Sequence, residues 1–494
     1  MSRILESCYQ VVWGVPALVL LLGVGLYLSV RTGFAQLRLF PYACRDLVSR
    51  LLPKRKQDDG SAFRSLCTAL AATVGTGNLV GVAGAITIGG PGAIFWMWIC
   101  GILGMITKIA EAALSVHFRV KEGTEYVGGP MYLISRGLGR RWKWMSAVYA
   151  FLGVIAAFGV GNATQINTVL NSWNDCLVFF GVTPTVCGRI LTGIFLAILV
   201  LILLLGGAGR IGAAAEKVVP FAAVSYLLLG VTVLFLRRDY IAGAFSAIVK
   251  GAFSPGAVTG GMVGSLAATL RVGVSRGVFT NEAGMGTAGI AHASANVDHP
   301  VRQGLMGIME VFLDTLVICT MTALVILCSG ITVPYGADSG LSLTVAGFSA
   351  VVGDWVRVFL ALSICLFAFA TVLGWGLYGS RCAQYLFGRS VWKPFAILQA
   401  CVVLISAVLR TETIWLLAEI INGLMAIPNL IALAFLSPEL CRLIIDFQRK
   451  SGPKAGGGKK CKYPLMQTAV NPRPCESSTP MRLRPKSGGR KYIT

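Results

Sequence analysis

Two short stretches of the sequence place glycine beside hydroxyl and amide side chains inside otherwise apolar runs. Residues 71–81 read AATVGTGNLVG, and residues 279–286 read FTNEAGMG, which adds a carboxylate. Because glycine weakens a helix, each stretch is expected to interrupt one. An interrupted helix leaves backbone N–H groups unpaired on one side of the break and C=O groups unpaired on the other.

These unpaired backbone groups indicate which ligands the breaks could hold. The N–H end carries partial positive charge and suits a carboxylate, whereas the carbonyl end suits a small cation or an ammonium group. Gly75 and Gly77 would let a ligand approach the backbone closely, and Thr76 and Asn78 add side-chain oxygens. Together the breaks suit a zwitterion with Na⁺, although a packing face of small residues is the alternative for either break alone.

The composition indicates the elements that carry these breaks. Of the 494 residues, 55% are hydrophobic and 13% charged, whereas soluble domains are about 25% charged. Runs of roughly 20 apolar residues, enough to span a bilayer, recur along the chain. We therefore predict an all-α polytopic membrane protein and exclude a multidomain soluble enzyme. The eleven predicted transmembrane spans are 11–30, 66–88, 92–114, 143–168, 188–206, 216–236, 264–292, 303–330, 352–378, 392–410 and 413–436.

No pattern in the sequence indicates catalysis. The chain lacks a phosphate loop and a nucleophile elbow, and it has only three histidines. Its cysteines show no metal-ligand spacing. We therefore predict no catalytic residue and no organic cofactor.

The basic residues predict the orientation. Of the 43 Lys and Arg residues, 32 lie in alternate links and the tail, and 5 lie in the opposite set of links. Basic links stay on the cytoplasmic side. The N-terminus is thus predicted outside and the C-terminus inside, in the cell (inner) membrane. The basic tail is expected to be disordered and to lie near anionic lipid rather than to bind nucleic acid.

The positions of the two breaks predict a repeat. Spans 2–6 and 7–11 form two blocks of five, and each block opens with an interrupted helix. Because five is odd, the second block starts on the opposite side of the membrane, which is typical of an inverted repeat with its site at the breaks. The predicted organisation is a peripheral helix and basic link (1–65), a first repeat (66–236), an outer link (237–263), a second repeat (264–436) and a tail (437–494).

Several charged residues fall inside predicted spans, where charge is expensive and commonly functional. Asp314 lies midway along span 8, with Glu310 one turn earlier, and the pair could either anchor a neighbouring helix or couple an ion. Lys108 and Glu111 are spaced i, i+3 and are interpreted as a local pair.

Four further residues lie towards the predicted outer side. Arg271 and Arg276 precede the second break and could pair in an outer gate or sit at a solvated mouth. Cys176 and Cys187 share one polar loop and could form a disulfide if that loop faces an oxidising compartment.

Several motifs resemble those of the alanine or glycine:cation symporter family, also called sodium/alanine symporters. The motifs are the run 72–98 with its PGAIFWMW ending, GGPMY at 128–132, NEAGMG at 281–286, FLDT at 312–315 and Gly374-Trp375. The resemblance covers about residues 10–440. It implies a leucine-transporter-like fold, a five-plus-five inverted repeat with one extra N-terminal helix.

The resemblance also implies a function. It implies a secondary active symporter that imports small neutral amino acids, alanine and glycine, coupled to Na⁺ by alternating access. A proton-coupled amino-acid symporter and a passive facilitator or channel remain alternatives, and a receptor is a further one. The implied partners are the amino acid and the lipid bilayer. The oligomeric state is left open, and a monomer is compatible with the resemblance.

The same resemblance assigns roles to individual residues. The substrate carboxylate would meet Gly75, Thr76, Gly77 and Asn78. The amino group would meet Phe279, Thr280 and Asn281, while Trp375 would wall the side-chain pocket. Gln165 would add a polar contact, although an interhelical hydrogen bond is its alternative. The cation would bind Ala72, Gly75 and Thr371, and Ala370 stands where the family often has a serine, which leaves Na⁺ or H⁺ coupling open.

Overall fold

The fold is almost entirely helical. The computed structural model describes residues 2–51, 60–123, 125–263, 265–337, 340–408 and 412–451. The end of predicted span 10 and residues 452–494 of the predicted tail lie outside the described residues. The predicted all-α polytopic membrane fold is confirmed.

The helices of the first half of the chain include both halves of the first broken span. They are α1 Ser2–Val12, α2 Val15–Arg31, α3 Ala35–Arg38, α4 Phe40–Leu51, α5 Ser61–Thr73, α6 Val82–Gly89, α7 Gly92–His117, α8 Pro130–Tyr132, α9 Lys143–Phe158, α10 Thr164–Phe179, α11 Val186–Leu205 and α12 Gly207–Leu236. A two-stranded antiparallel hairpin, β1 Val120–Glu122 and β2 Glu125–Val127, lies between α7 and α8.

The helices of the second half include both halves of the second broken span. They are α13 Ile241–Phe253, α14 Pro255–Thr259, α15 Leu266–Asn281, α16 Thr287–His292, α17 Pro300–Val311, α18 Thr320–Cys328, α19 Gly340–Val352, α20 Val356–Phe387, α21 Trp392–Ser406, α22 Glu412–Phe435 and α23 Ser437–Ser451. Short 3₁₀ turns are Arg140–Trp142, Arg238–Tyr240 and Arg389–Val391.

In the part of the chain that the structure describes, four segments have π-helical hydrogen bonding, which is rare in proteins but frequent at functional sites. They are Gly77–Gly81, Leu133–Leu138, Gly159–Ala163 and Phe312–Cys319. The first joins α5 to α6, the third joins α9 to α10, and the fourth joins α17 to α18.

Within the described residues, nine helices are long and apolar enough to cross a membrane. The pair Ser61–Thr73 and Gly77–Gly89, bent by 50°, makes a tenth. These ten correspond to ten of the predicted spans. The remaining one, 264–292, is divided into helices of 16 and 6 residues, α15 and α16. The count of eleven spans and the inverted repeat therefore stay predictions.

Large apolar side chains project from the outer helices. Phe195 on α11 is 66% exposed, and Phe221 and Phe235 on α12 are 66% and 68% exposed. Such side chains are compatible with a hydrocarbon environment, in which no apolar surface needs to be hidden from water. The interior of the bundle is formed largely by α7, which is mostly buried and packs against α15 and α17.

Contacts between links define one face of the bundle, which we call the basic face. Arg119 donates hydrogen bonds to the carbonyl oxygens of Ala293 and Ala295. His299 Nε2 lies 3.3 Å from Asp446 Oδ2 on α23. The basic face comprises residues 31–51, 118–142, 293–299, 388–391 and α23.

The remaining links meet on the opposite face. Arg271 Nη1 donates to Gln10 Oε1 at 2.6 Å, and the Gly336 amide donates to the Thr87 carbonyl at 2.9 Å. The opposite face comprises residues 5–14, 89–91, 237–263 and 331–337. The links on the basic face belong to the set that is rich in Lys and Arg, and the links on the opposite face belong to the set with few basic residues.

The predicted links contain more structure than the sequence indicated. The outer link 237–263 includes α13, which packs on α7, and Trp96 Nε1 donates to the Ala252 carbonyl at 3.1 Å. An apolar stretch of 13 residues is too short to span a bilayer, so its pattern did not separate it from a link. The first part of the predicted disordered tail, Ser437–Ser451, is helical. Cys176 is buried, Cys187 is exposed, and both are free cysteines, so the possible disulfide is not formed.

The two faces lead to a labelling prediction. Asp298 on the basic face and Asp239 on the opposite face have side chains that are 70% and 91% exposed. The background for labelling has serine in place of five of the fourteen cysteines, at positions 8, 187, 401, 461 and 475. In this background, we expect Asp298→Cys to react with a membrane-impermeant maleimide only from the cytoplasmic side. Asp239→Cys should react only from the outside, and labelling of both from one side would contradict the assigned faces.

Candidate substrate and cation site

The first break begins where α5 ends. Val74 adopts an extended conformation, with φ −76° and ψ 99°, and the helix resumes through the π segment 77–81. The Gly75 amide, freed by this change, donates to Asn78 Oδ1 at 2.9 Å. Thr76 and Asn78 are buried, so the break lies inside the protein rather than at its surface.

The second break separates α15 from α16. Glu282, Gly284 and Gly286 all have positive φ, of 53°, 95° and 83°. The Ala283 amide donates to Asn281 Oδ1 at 2.9 Å. Each break therefore uses an asparagine side chain to satisfy a backbone N–H group that the interrupted helix leaves unpaired.

One pair of side chains on the π segment 312–319 connects the two breaks. Asn78 Nδ2 donates to Asp314 Oδ1 at 2.6 Å, and Asn281 Nδ2 donates to Thr315 Oγ1 at 3.0 Å. Thr315 Oγ1 in turn donates to Asp314 Oδ2 at 2.8 Å. Asp314 and Thr315 are fully buried. We call this Asp314–Thr315 pair the bridge; it fixes the position of one break relative to the other.

The first break also contacts α10 and α20. Thr76 Oγ1 donates to Gln165 Oε1 at 3.1 Å, so Gln165 does make an interhelical hydrogen bond. A Cβ atom on Gly75 would lie 2.6 Å from Thr371 Oγ1, which shows how closely this hydroxyl approaches the glycine. Thr371 Oγ1 donates to the Phe367 carbonyl at 3.0 Å, and its lone pairs remain free to accept or to coordinate.

The two breaks lie against each other. A Cβ atom on Gly77 would be 3.4 Å from both the ring of Phe279 and the methyl group of Thr280. On the neighbouring helix, a Cβ on Gly374 would lie 2.9 Å from that of Ala72. Glycine at these two positions lets the π segment 77–81 pack closely against α15, and α20 pack closely against α5.

Trp375 is buried beside the second break. Its indole Nε1 donates to Glu282 Oε1 at 2.9 Å, and its ring contacts Tyr378 edge-on at a centroid distance of 5.8 Å. Gly161 in the π segment 159–163 provides space for the indole, since a Cβ there would lie 2.2 Å from Trp375 Cβ. The position of this ring therefore depends on three different helices.

A further set of buried charges surrounds the second break. Lys108 Nζ lies 2.6 Å from Glu310 Oε1, and His292 Nε2 lies 3.2 Å from Glu310 Oε2. Glu111 Oε1 instead accepts hydrogen bonds from the Gly284 and Gly286 amides, at 2.9 and 3.0 Å. The predicted local pair of Lys108 with Glu111 is wrong, because the two side chains on α7 turn to different partners.

At the basic face the two broken spans are joined by uncharged groups. The Asn296 amide donates to Ser61 Oγ at 2.8 Å, and the hydroxyl groups of Ser65 and Ser294 are 3.1 Å apart. At the opposite face, one contact of a broken span is an ion pair. Arg276 Nη1 is 3.1 Å from Glu419 Oε1, which links α15 to α22.

Known proteins resemble this chain in sequence and in fold. The sequence profile described as the Sodium:alanine symporter family matches residues 1–462. The chain is 42% identical over 431 residues to the Sodium/alanine symporter AgcS of Methanococcus maripaludis, covering 86% of this chain and 92% of AgcS. The chain belongs to the sodium:alanine symporter family. It is therefore a sodium-coupled amino-acid symporter and a multi-pass membrane transporter rather than an enzyme.

One further sequence relative and one solved structure are similar to this symporter. It is 37% identical over 462 residues to the Probable sodium/glutamine symporter GlnT of Bacillus subtilis, covering 92% of this chain and 93% of GlnT. The solved structure of MhsT in complex with L-phenylalanine is 13% identical, with a TM-score of 0.52, and covers 78% of this chain and 97% of that one. The likeness to MhsT shows the fold alone, that of the leucine-transporter class.

The predicted site residues come together, although their binding roles stay predictions. The two breaks, Gln165, Thr371 and Trp375 converge on one buried region. Asn78 and Asn281 use both ends of their amides on the protein itself. Sequence reasoning missed the bridge from Asp314 to both breaks and the bond between Glu282 and Trp375, although intramembrane charge singled out Asp314.

The bridge leads to a stability prediction for this symporter. Thr315→Val keeps the shape of the side chain but leaves Asn281 Nδ2 without its acceptor and Asp314 Oδ2 without its donor. We expect the free energy of unfolding to fall by about 1–3 kcal/mol for each buried group left without a hydrogen bond. Thermal unfolding in detergent should show a lower apparent melting temperature. The matched control is Thr232→Val on the exposed side of α12, and an equal effect of the two substitutions would contradict the role of the bridge.

Proposed function

We propose that this symporter imports small neutral amino acids, alanine and glycine, by alternating access, with substrate held between the two helix breaks. The observation that carries the proposal is the pair of adjoining breaks fixed to each other through the Asp314–Thr315 bridge. The relative AgcS is named for sodium and alanine, which supports alanine as a substrate, whereas GlnT is named for glutamine. Phe279 and Trp375 are proposed to limit the size of the side chain.

The proposed cation site lies at the carbonyl end of α5. The last carbonyl groups of a helix have no intrahelical partner and suit Na⁺, which prefers oxygen ligands. Ala72 belongs to this last turn, and the Thr371 hydroxyl lies against Gly75. These residues fit a small cation, which would neutralise the negative charge of the substrate carboxylate bound nearby. Ala370 offers no second hydroxyl, so H⁺ coupling is kept as the alternative coupling ion.

Alternating access is proposed to involve the contacts at the two faces. To expose the site on the basic face, α5 must separate from the segment after α16, which breaks the contacts of Ser61 with Asn296 and of Ser65 with Ser294. To expose it on the opposite face, the ion pair of Arg276 with Glu419 must open. We propose that the basic face is cytoplasmic, as its Lys and Arg content predicts.

The decisive experiment is uptake of labelled alanine into proteoliposomes. An inward Na⁺ gradient should drive accumulation above the external concentration, and an H⁺ gradient alone should not. Accumulation driven by H⁺ alone would favour the proton-coupled alternative. Uptake that equilibrates without any ion gradient would favour a passive facilitator, and specific binding without uptake would favour a receptor.

The cation ligand can be tested in the same assay. Thr371→Val removes the hydroxyl and keeps the shape, so the Na⁺ concentration giving half-maximal uptake should rise. Thr232→Val serves again as the matched control. An unchanged Na⁺ dependence in Thr371→Val would exclude this hydroxyl from the cation site.

Steric filling of the first break should abolish binding. A methyl group at residue 77 fits at contact distance, but the rest of a leucine side chain would collide with Phe279 and Thr280. We expect Gly77→Leu to lose alanine binding and Gly77→Ala to weaken it. Gly23→Leu is the control, because a Cβ atom on Gly23 would meet no other atom of the described protein within 4 Å.

Binding of alanine can be measured by scintillation proximity on purified protein, with size-exclusion chromatography as the check on folding. Near-native binding by a folded Gly77→Leu variant would mean that the first break is only a packing face. Loss of binding in Gly23→Leu as well would show that the effect is not specific to the break.

A further inference from the structure

The residue that carries the inference is Glu282, which directly follows α15. Its φ of 53° lies in the left-handed region, where only two non-glycine residues of the described chain are found, Phe34 and Glu282. The same break contains Gly284 and Gly286 with positive φ, and glycine adopts that conformation without strain. A glutamate at the strained position therefore points to a role for its side chain.

The carboxylate of Glu282 uses both oxygens. Oε1 accepts from Trp375 Nε1 at 2.9 Å, and Oε2 accepts from Thr287 Oγ1 at 2.6 Å. Thr287 is the first residue of α16, so one side chain ties the end of α15, the start of α16 and α20 together. Glu282 is 3% exposed and Trp375 is 1% exposed, so both bonds lie away from bulk water.

The bond to Glu282 satisfies the one polar group of the indole. The only polar group of a tryptophan is its N–H, and a buried indole usually finds one acceptor. The Gly161 backbone packs closely against Trp375 Cβ, and Tyr378 contacts the ring edge-on. These contacts hold the base and one edge of the side chain, and the bond to Glu282 fixes the edge that carries the N–H.

We propose that Glu282 is a specificity-determining, positioning residue, which sets the size of the substrate pocket by orienting the indole of Trp375. The inference rests on the proposed function, in which Trp375 walls the pocket. Glu282 touches neither substrate nor cation in this role and acts through the indole alone. Because Glu282 lies between α15 and α16, a movement of these two helices would also move the indole of Trp375.

The test compares substrate size selectivity rather than stability. Glycine, serine, valine and leucine compete against labelled L-alanine for purified protein in Na⁺ buffer. In the wild type, alanine should bind at least about tenfold more tightly than leucine. Glu282→Ala frees the indole, so the ratio of valine to alanine affinity should rise by about tenfold, while alanine itself binds more weakly.

Two variants separate orientation from charge. Glu282→Gln keeps an acceptor oxygen for the indole and removes the charge, so it should retain the wild-type ranking. Trp375→Phe removes the N–H donor and also shrinks the ring, so its ranking should change for both reasons. Adding Glu282→Ala to Trp375→Phe should give no further change in the ranking, because the phenyl ring has no N–H from which Glu282 could accept. The matched control is Glu439→Ala on α23, far from the breaks.

Each outcome decides the proposal. A Glu282→Ala protein with a lower melting temperature but the wild-type ranking, or a double variant with additive shifts, would overturn it. If Glu282→Ala is not monodisperse, Glu282→Leu takes its place, since it keeps the volume of the side chain but offers no acceptor: its ranking must change, and that of Glu282→Gln must not. A wild-type protein that binds no alanine would contradict the proposed function instead.

Discussion

The geometry of this symporter depends on one buried carboxylate. Asp314 accepts from the first break and, through Thr315, from the second, so the two interrupted helices are positioned by a third. A carboxylate is suited to this because it only accepts and can serve several donors at once. The π segment that carries it widens one helical turn and places two consecutive side chains towards the breaks. Without this bridge, the two breaks would be held together only by the close packing of Gly77 against Phe279 and Thr280.

Buried carboxylates cluster around the second break. Glu111 accepts from the amides of Gly284 and Gly286, while Glu282 accepts from Thr287 on α16 and from Trp375 on α20. Glu310 pairs with Lys108. Buried carboxylates are costly unless they are hydrogen-bonded, and for Glu111 the amides of the interrupted helix supply the donors. The irregular backbone and the buried Glu111 therefore stabilise each other.

Much of the site could be predicted from the sequence, because its signals are local. Glycine, threonine and asparagine inside an apolar run indicate a break whatever surrounds it, and both breaks lie where the sequence places them. Partners across helices could not be predicted. The spacing of Lys108 and Glu111 indicates one face of α7, but only packing decides that one turns to Glu310 and the other to the second break. Short apolar helices such as α13 lack the length that distinguishes a span from a link.

The contacts at the two faces differ in chemistry, which makes them differ in what their opening requires. The contacts between α5 and the segment following α16 join hydroxyl and amide groups, which carry no net charge. The contact between Arg276 and Glu419 is an ion pair of 3.1 Å whose side chains are only 18% and 11% exposed. Because the pair is much shorter than a Debye length of about 8 Å and mostly buried, dissolved salt screens it only weakly. Its separation would leave two charges that each need water or a new partner. Opening of this face therefore depends on the entry of water to the two charged groups, whereas the neutral contacts at the basic face exchange one hydrogen bond for another.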